Sequence, residues 1–158
     1  MAEQNYDPKV SLELLCLVQQ ASWANRKWVE FVYSRTDAET RPKELLCHLM
    51  CAERVWFERI YGELKTQATF FVMDKEELLK AFNENEQTFQ VLISTKLGKV
   101  IQFKRFTGEE YHSKVIDIIY HLLTHGYHHR GQLAAYYARK GSKYPNTDHI
   151  NYLFENKL

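Results

Sequence analysis

The chain of 158 residues is long enough for one domain with a sizeable hydrophobic core. Its hydrophobic fraction of 45% and aromatic fraction of 14% exclude a disordered chain, and a net charge of +1 with interspersed signs excludes a basic stripe for nucleic acid. The apolar runs are too short to span a bilayer. The three cysteines lack the spacing of a disulfide framework, and the N-terminus lacks a signal pattern, so a reduced cytoplasmic protein is predicted.

Two amphipathic helices are predicted in the first part of the chain. Asp7 and Pro8 form a helix start, because the aspartate can cap the helix and the proline has no N–H to satisfy. The apolar stripe that follows is interrupted only by Asn25, which we expect either to bond a neighbouring helix or to support a metal ligand. A second helix opens at Pro42 and ends at Gly62.

The second helix carries His48 on its inward stripe, between Leu45 and Ala52. An isolated histidine in such a position is usually a satisfied core residue. Cys51 could pair with it at i, i+3 as a soft ligand. We discount this pairing because cysteine on an inner helix face more often packs as a small hydrophobe, and Cys47 and Cys51 lack the CxxC spacing of a zinc site.

A third helix is predicted after Asp74. The acid Glu77, three residues further on, completes the pattern of a capping box. The apolar stripe of this helix has Asn85 or Glu86 near its middle, and we expect the charged residue to lie at the rim of the buried face.

The spacing of apolar residues changes between the third helix and the fourth. Residues 100–106 alternate as a strand does, and Thr107 and Gly108 suit a turn, so a short β-hairpin packed on the helices is predicted. Ser113 is then the expected N-cap of a fourth helix that runs to Lys140 and stops at Gly141. The aromatic tail that follows is expected to dock on the bundle.

The fourth helix contains a stretch of residues that suggests chemistry. His125 and His129 lie on its inward stripe, and at a separation of four residues, about 5–6 Å between Cβ atoms, they could hold one metal ion. His121 and His125 form an alternative pair at the same spacing. His128 points about 100° away from His129 on the helix.

A histidine pair needs a third ligand, and His48 is the only histidine before residue 112. Three helical histidines would leave a position open for water or substrate, and a bound ion would acidify the water or deprotonate a thiol. A carboxylate-bridged dimetal bundle is disfavoured, because its Glu-x-x-His motif occurs here only from Glu109 to His112, in the hairpin.

The stretch from His125 to Leu133, with residues 117–123 before it, resembles the last-helix signature of the DinB/YfiT-like family of metal-binding four-helix bundles. The single His48, the hairpin and the closing segment from Pro145 to Leu153 are similar to that family as well. The resemblance implies an all-α fold: one domain over residues 1–158, an up-down-down-up four-helix bundle with a short β-hairpin before the last helix.

The resemblance further implies a divalent metal ion, zinc or nickel, held by His48, His125 and His129. It implies a homodimer with a small-molecule substrate and no nucleic-acid or membrane partner. Members of the family include transferases and isomerases that use a low-molecular-weight thiol, such as bacillithiol or mycothiol, and hydrolases. We therefore expect a metal-dependent transferase or hydrolase. The alternative is a non-catalytic stress-response dimer with a structural ion, which a fourth protein ligand such as Cys51 would favour.

Roles are also expected for residues beyond the metal ligands. No catalytic base can be assigned, and Asn25, Glu86 and Tyr127 are the candidates, with Tyr127 expected to point away from the ligand face. Gly131 is expected to allow close contact between helices, and Gln132 to hydrogen-bond near a ligand.

Overall fold

Five helices and one two-stranded sheet are formed by the residues that the computed structural model describes, which are 6–37, 39–66, 69–104 and 107–156. The helices are α1 (Pro8–Tyr33), α2 (Thr40–Tyr61), α3 (Lys75–Thr95), α4 (Val115–Arg139) and α5 (His149–Asn156). The strands β1 (Val100–Lys104) and β2 (Glu110–Lys114) lie between α3 and α4. The predicted all-α class with a hairpin before the histidine-bearing helix is confirmed. No helix in these ranges has an apolar stretch long enough to cross a membrane.

Local sequence signals account for the ends of the first two helices. The Asp7 carboxylate accepts a hydrogen bond from the backbone N–H of Lys9 at 2.8 Å and so caps α1. Gly62 ends α2 with a φ of 80°, in the left-handed region that favours glycine. Both ends agree with the sequence prediction.

One predicted helix cap lacks its side-chain hydrogen bonds, and another is wrong. Asp74 does precede α3, but its side chain makes no capping hydrogen bond, so the predicted capping box is not formed. Ser113 does not cap α4, because it pairs with Ile101 in the antiparallel ladder and the strand continues to Lys114. Pairing with β1 keeps the backbone extended beyond the point where the sequence predicts a helix.

The hairpin packs on the helices through one face. Its register runs from Val100 opposite Lys114 to Lys104 opposite Glu110, and Gly108 takes a φ of 85° in the turn. Ile101 is buried in the core of the bundle. The expected strand residues 105–106 lie outside the described residues.

Ion pairs between α1 and α3 show that these helices are antiparallel. Glu30, near the end of α1, lies 2.5 Å from Lys75 at the start of α3. Arg26, one turn earlier on α1, lies 2.8 Å from Glu86, further along α3. Residue numbers therefore fall on one helix as they rise on the other.

The other helix pairs complete the order of the bundle. In two helix pairs, residue numbers rise together along both helices. Between α2 and α3, Met50 contacts Asn85, and Ile60 contacts Lys99 just after α3. Between α1 and α4, Gln20 contacts Tyr127, and Asn25 contacts Arg130. These pairs are parallel. The bundle is therefore up-down-down-up, as predicted.

Two apolar clusters fill the bundle, one toward each end. The first joins the start of α1, the ends of α2 and α3 and the start of α4, and includes Leu14, Ile60, Leu92 and Ile119. The second joins the opposite ends of the same helices and includes Trp28, Leu46, Leu78 and Leu133. Burial of this apolar surface is the main force that holds the helices together.

Polar side chains lie buried between the two clusters. Arg130 is 4% exposed, and its Nη1 donates to Oδ1 of Asn25 at 2.7 Å. Asn85 donates to the backbone oxygen of Met50 at 3.1 Å and to the Glu53 carboxylate at 2.7 Å. Of the two roles expected for Asn25, the bond to a neighbouring helix is the one present.

Gly126 leaves room for the Arg130 guanidinium. The Arg130 side chain folds back along α4, and a Cβ at position 126 would lie only 2.9 Å from its Nη1. Gly131, which the sequence led us to expect at a close contact, has nothing within 4 Å of such a Cβ among the described residues. The close approach therefore lies at Gly126.

The C-terminal tail docks on α1, as predicted, and its end forms a fifth helix, α5, in addition to the four predicted helices. Thr147 receives two hydrogen bonds from α1: the Gln20 amide donates to its backbone oxygen at 2.9 Å, and the Trp28 indole donates to its hydroxyl at 3.2 Å. On α5, Tyr152 is buried against Trp23, with 5.5 Å between the ring centroids.

The replacement Asn25→Ala should lower the free energy of unfolding by about 2–3 kcal/mol, since it removes the acceptor of a buried guanidinium. Urea unfolding monitored by circular dichroism measures this. The matched control is Asn83→Ala, on the exposed face of α3, which should change stability by less than about 0.5 kcal/mol. Equal effects of the two replacements would contradict the role given to Asn25.

Candidate functional site

Three histidines converge between α2 and α4. The antiparallel order of these helices brings His48 beside His125 and His129, and one ring nitrogen of each lies within 4.8 Å of the other two. The ring centroids are 4.4–5.5 Å apart, at 4.4 Å for His125 and His129, 5.0 Å for His48 and His129 and 5.5 Å for His48 and His125. Zinc–imidazole bonds are about 2.0–2.1 Å long, so this group could hold a metal ion after small side-chain rotations.

Gln132 orients the ring of His129. Its amide oxygen lies 2.8 Å from Nδ1 of His129, and its amide nitrogen donates to Nε2 of His128 at 3.0 Å. An amide oxygen can only accept, so Nδ1 of His129 carries the proton and Nε2 presents its lone pair. That Nε2 lies 3.0 Å from Nε2 of His125. The expectation that Gln132 bonds near a histidine of the group is confirmed.

The ring of His48 is held by stacking. It lies nearly parallel to Phe70, with 4.4 Å between centroids, and the guanidinium of Arg41 lies on the Phe70 ring at 4.6 Å. Nδ1 of His48 is buried and has no hydrogen-bond partner in the described part of the chain. A buried ring nitrogen without a partner fits a group of side chains that receives a ligand atom or ion.

The three histidines are neutral at pH 7. Burial lowers the pKa of His125 to about 4, and its histidine neighbours lower it further in the same direction. Burial is also the largest cause of the lowered pKa of His48 and of His129. A neutral imidazole has a free lone pair, so each ring is in the form that binds a metal.

The model of the DinB family matches residues 14–157. This chain belongs to the DinB family. No curated protein and no solved structure gives a significant match. The family match runs from α1 to α5 and so includes all three histidines, which confirms the assignment drawn from the histidine stretch.

The two remaining histidines of α4 lie outside the three-histidine group. His121 is exposed, with its ring against Trp56 at 5.6 Å and 5.8 Å from the ring of His125. His128 is exposed and bonds Gln132. The structure therefore brings together the pair His125 and His129 rather than the alternative pair with His121.

Cysteine does not join the group. Cys51 is buried, and burial raises the pKa of its thiol. Within the described ranges, the set of side chains with ligand atoms close enough to share an ion contains His48, His125 and His129 and no thiol or carboxylate. The discounted pairing of His48 with Cys51 is absent from this set.

The three candidate bases have their contacts elsewhere. Asn25 accepts from Arg130, Glu86 pairs with Arg26, and the Tyr127 hydroxyl donates to Gln20 at 2.7 Å. Tyr127 points away from the histidines, as expected. No sequence signal pointed to the structural role of Arg130, because its position beside His129 does not reveal which helix it faces.

A cavity of about 630 Å³ opens onto the histidines. His48, Trp56 and Arg59 line it from α2, His121 and His125 from α4, and Lys65 from the connector after α2. Small apolar residues of α2 form the rest of the α2 wall. The site thus combines a histidine group that could bind a metal with space for a small molecule beside it.

The metal-free protein should lose stability as the pH falls from 7 to 5. The folded-state pKa values of His48, His125 and His129 lie below the ordinary value of about 6.5, so the unfolded chain takes up protons that the folded chain does not. Their contribution is complete above that value and is lost as the pH falls toward about 4, the pKa of His125. Urea unfolding at the two pH values, after chelator treatment, measures the loss. His125→Gln should show a smaller pH dependence, and an unchanged one would contradict this explanation.

Proposed function

We propose that this DinB-family protein is a metal-dependent enzyme of the transferase or hydrolase class, with one zinc or nickel ion bound by His48, His125 and His129. The observation that supports it is the convergence of three ring nitrogens within 4.8 Å. Neutral imidazoles suit both metals, and the buried, unpartnered Nδ1 of His48 fits a site of this kind. A bound ion would lower the pKa of a thiol or water molecule, so that the anion forms at neutral pH.

The residues around the histidines prepare the site. Gln132 keeps Nε2 of His129 unprotonated and directed at the group. Phe70 fixes the plane of the His48 ring. Trp56 and the apolar wall of the cavity exclude water from a bound substrate, which strengthens every electrostatic interaction there.

An enzyme is favoured over a protein with a structural ion. A structural zinc site is usually filled by four protein ligands, whereas catalytic sites use three and leave a position open. Cys51, the residue that would have completed a filled site, is not in the ligand group. The cavity beside His48 and His125 provides access to the open position. The homodimer implied by the family resemblance stays a prediction.

Tag-free protein purified without chelator should contain about one zinc or nickel ion per chain, measured by mass spectrometry. His48→Ala, His125→Ala and His129→Ala should each lose the ion, because two imidazoles hold it far more weakly than three. His112→Ala, on the exposed face of the hairpin, is the matched control and should retain it.

The same proteins test the reaction. The metal-loaded protein should accelerate either the displacement of chloride from a chlorobimane by a thiol or the hydrolysis of a nitrophenyl ester, and His125→Ala should remove the acceleration. Absence of an ion, with none taken up from zinc or nickel solutions, would refute the metal site. A bound ion without acceleration of either reaction would favour the structural role.

Replacement of Gln132 by alanine should weaken metal binding by about 10–100-fold, since His129 loses the acceptor that sets its tautomer. Competition with a chelator of known affinity measures this. Gln132→Glu, which retains an acceptor oxygen, should restore most of the affinity. Gln87→Ala, exposed on α3, serves as the control, and an equal loss in both alanine variants would show that Gln132 has no specific role.

A further inference from the structure

The cavity beside the histidines is positively charged. Arg59 and Lys65 line it, and none of the described lining residues is acidic. In the connector after α2, the described residues 64–66 and 69–70 carry no carboxylate, and Glu63 just before them lies 3.6 Å from Lys65. Since the three histidines are neutral, a bound divalent ion would keep its full charge and add to this field.

Arg59 has no carboxylate partner in the described part of the chain. Its guanidinium lies over the rings of Trp56, at 4.7 Å, and Phe103, at 5.6 Å. Burial is the one cause that shifts its pKa, which it lowers, and no acidic neighbour offsets that effect. Arg26 and Arg54, in contrast, each pair with a glutamate. Arg59 is therefore a partly desolvated guanidinium whose donors are free for a ligand.

The nearest acidic groups do not form an ion pair with the Arg59 guanidinium. The Glu58 carboxylate accepts three hydrogen bonds from Lys65 and Thr66, at 2.6–2.7 Å, and so holds the connector in place. Asp117 lines a second cavity of about 400 Å³, but it forms no ion pair with Arg59 within the described residues. The donors of Arg59 remain available between the two cavities.

The position of Arg59 sets the length of a ligand that reaches it from the histidines. Both cavities share Trp56, Arg59 and His121, so they adjoin at this point. His48 and Arg59 are separated by eleven residues of α2, about 16 Å along the helix axis, and the arginine side chain leans back toward His48. A group bound by Arg59 therefore lies on the order of 10 Å from the centre of the histidine group.

We propose that the substrate of this site is an elongated small molecule with its reactive atom at His48, His125 and His129 and a carboxylate or similar anion bound by Arg59. The apolar part of the molecule between these ends packs against Trp56. Arg59 is the specificity-determining residue in this arrangement, since Lys65, the other cation of the lining, is paired with Glu63. The inference rests on the proposed function, because it takes the histidine group as the reactive end.

Thiol probes of graded length test the proposal on nickel-loaded protein, where the thiolate-to-nickel absorption band reports binding. Mercaptopropionate, mercaptohexanoate and mercaptooctanoate are each compared with the mercapto alcohol of the same length. The longest acid should bind about tenfold more tightly than its alcohol, as a charge-assisted hydrogen bond to a partly buried guanidinium allows. The shortest pair should bind equally, since mercaptopropionate cannot reach Arg59.

Arg59→Gln should reduce the preference for the longest acid to less than about twofold, while leaving the affinity for its alcohol unchanged, which shows that the variant is folded. Arg59→Lys should keep part of the preference. Lys80→Gln removes one exposed positive charge from α3 and should have no effect.

Two results would overturn the proposal while leaving the metal site intact: equal binding of acid and alcohol at every length, or a preference that survives Arg59→Gln. Nickel bound without a thiolate band for any probe would refute both this inference and the thiol chemistry of the proposed function. Failure to bind nickel or zinc would refute the proposed function itself and, with it, this inference.

Discussion

The buried guanidinium of Arg130 is the constraint on which the rest of the bundle depends. A charge taken out of water is costly unless it is hydrogen-bonded, and burial lowers the pKa of Arg130 to about 10. Asn25 supplies an acceptor on α1, Gly126 supplies the space on α4, and the Glu53 carboxylate on α2 adds a favourable charge. Asn25, Glu53 and Gly126 therefore have to lie at the same level along the bundle axis as the Arg130 guanidinium for its charge to be accommodated.

This polar layer gives the bundle a register that apolar packing alone does not provide. The clusters above and below it consist largely of leucine, isoleucine and aromatic side chains, which tolerate shifts of one helix against another better than hydrogen bonds do. Burial raises the pKa of Glu53 to about 7, although the hydrogen bond from Asn85 and the nearby arginines act against this. The layer thus includes a carboxyl group with a pKa of about 7, which keeps part of its negative charge beside Arg130 at neutral pH.

The two helices that carry the histidine group, α2 and α4, also carry part of the polar layer on adjacent faces. On α4, His129 is followed directly by Arg130, and on α2, Glu53 follows His48 by five residues. The bond from Arg130 to Asn25 holds α4 against α1, and the charge of Glu53 acts on Arg130 from α2, so these interactions help to set the height at which His125 and His129 face His48. The geometry of the site therefore depends on buried polar contacts that lie outside it. Gln132 in turn sets the orientation of the His129 ring.

The histidine group and its cavity differ in charge for a physical reason. Burial keeps the imidazoles neutral, so they can donate lone pairs, whereas the arginine beside the cavity remains charged even when it is partly desolvated. One wall of the site therefore suits a cation and the other an anion. A molecule that bridges them needs both a metal-binding atom and a negative group.

The helix boundaries at Asp7 and Gly62, the pairing of His125 with His129 and the membership of the DinB family could be predicted from the sequence, because they depend on spacing within one helix and on local signals. The sequence also placed His48 on an inward face and anticipated the bond of Gln132. The family resemblance also named His48 as the third histidine of the group, and the structure brings it beside the pair. Tertiary packing was needed to establish that Asn25 faces Arg130, that Ser113 stays in a strand, and that Gly126 rather than Gly131 lies at the close contact. Each of these depends on which residue of another element lies opposite, and that is set by the packing and direction of whole helices rather than by spacing along the chain.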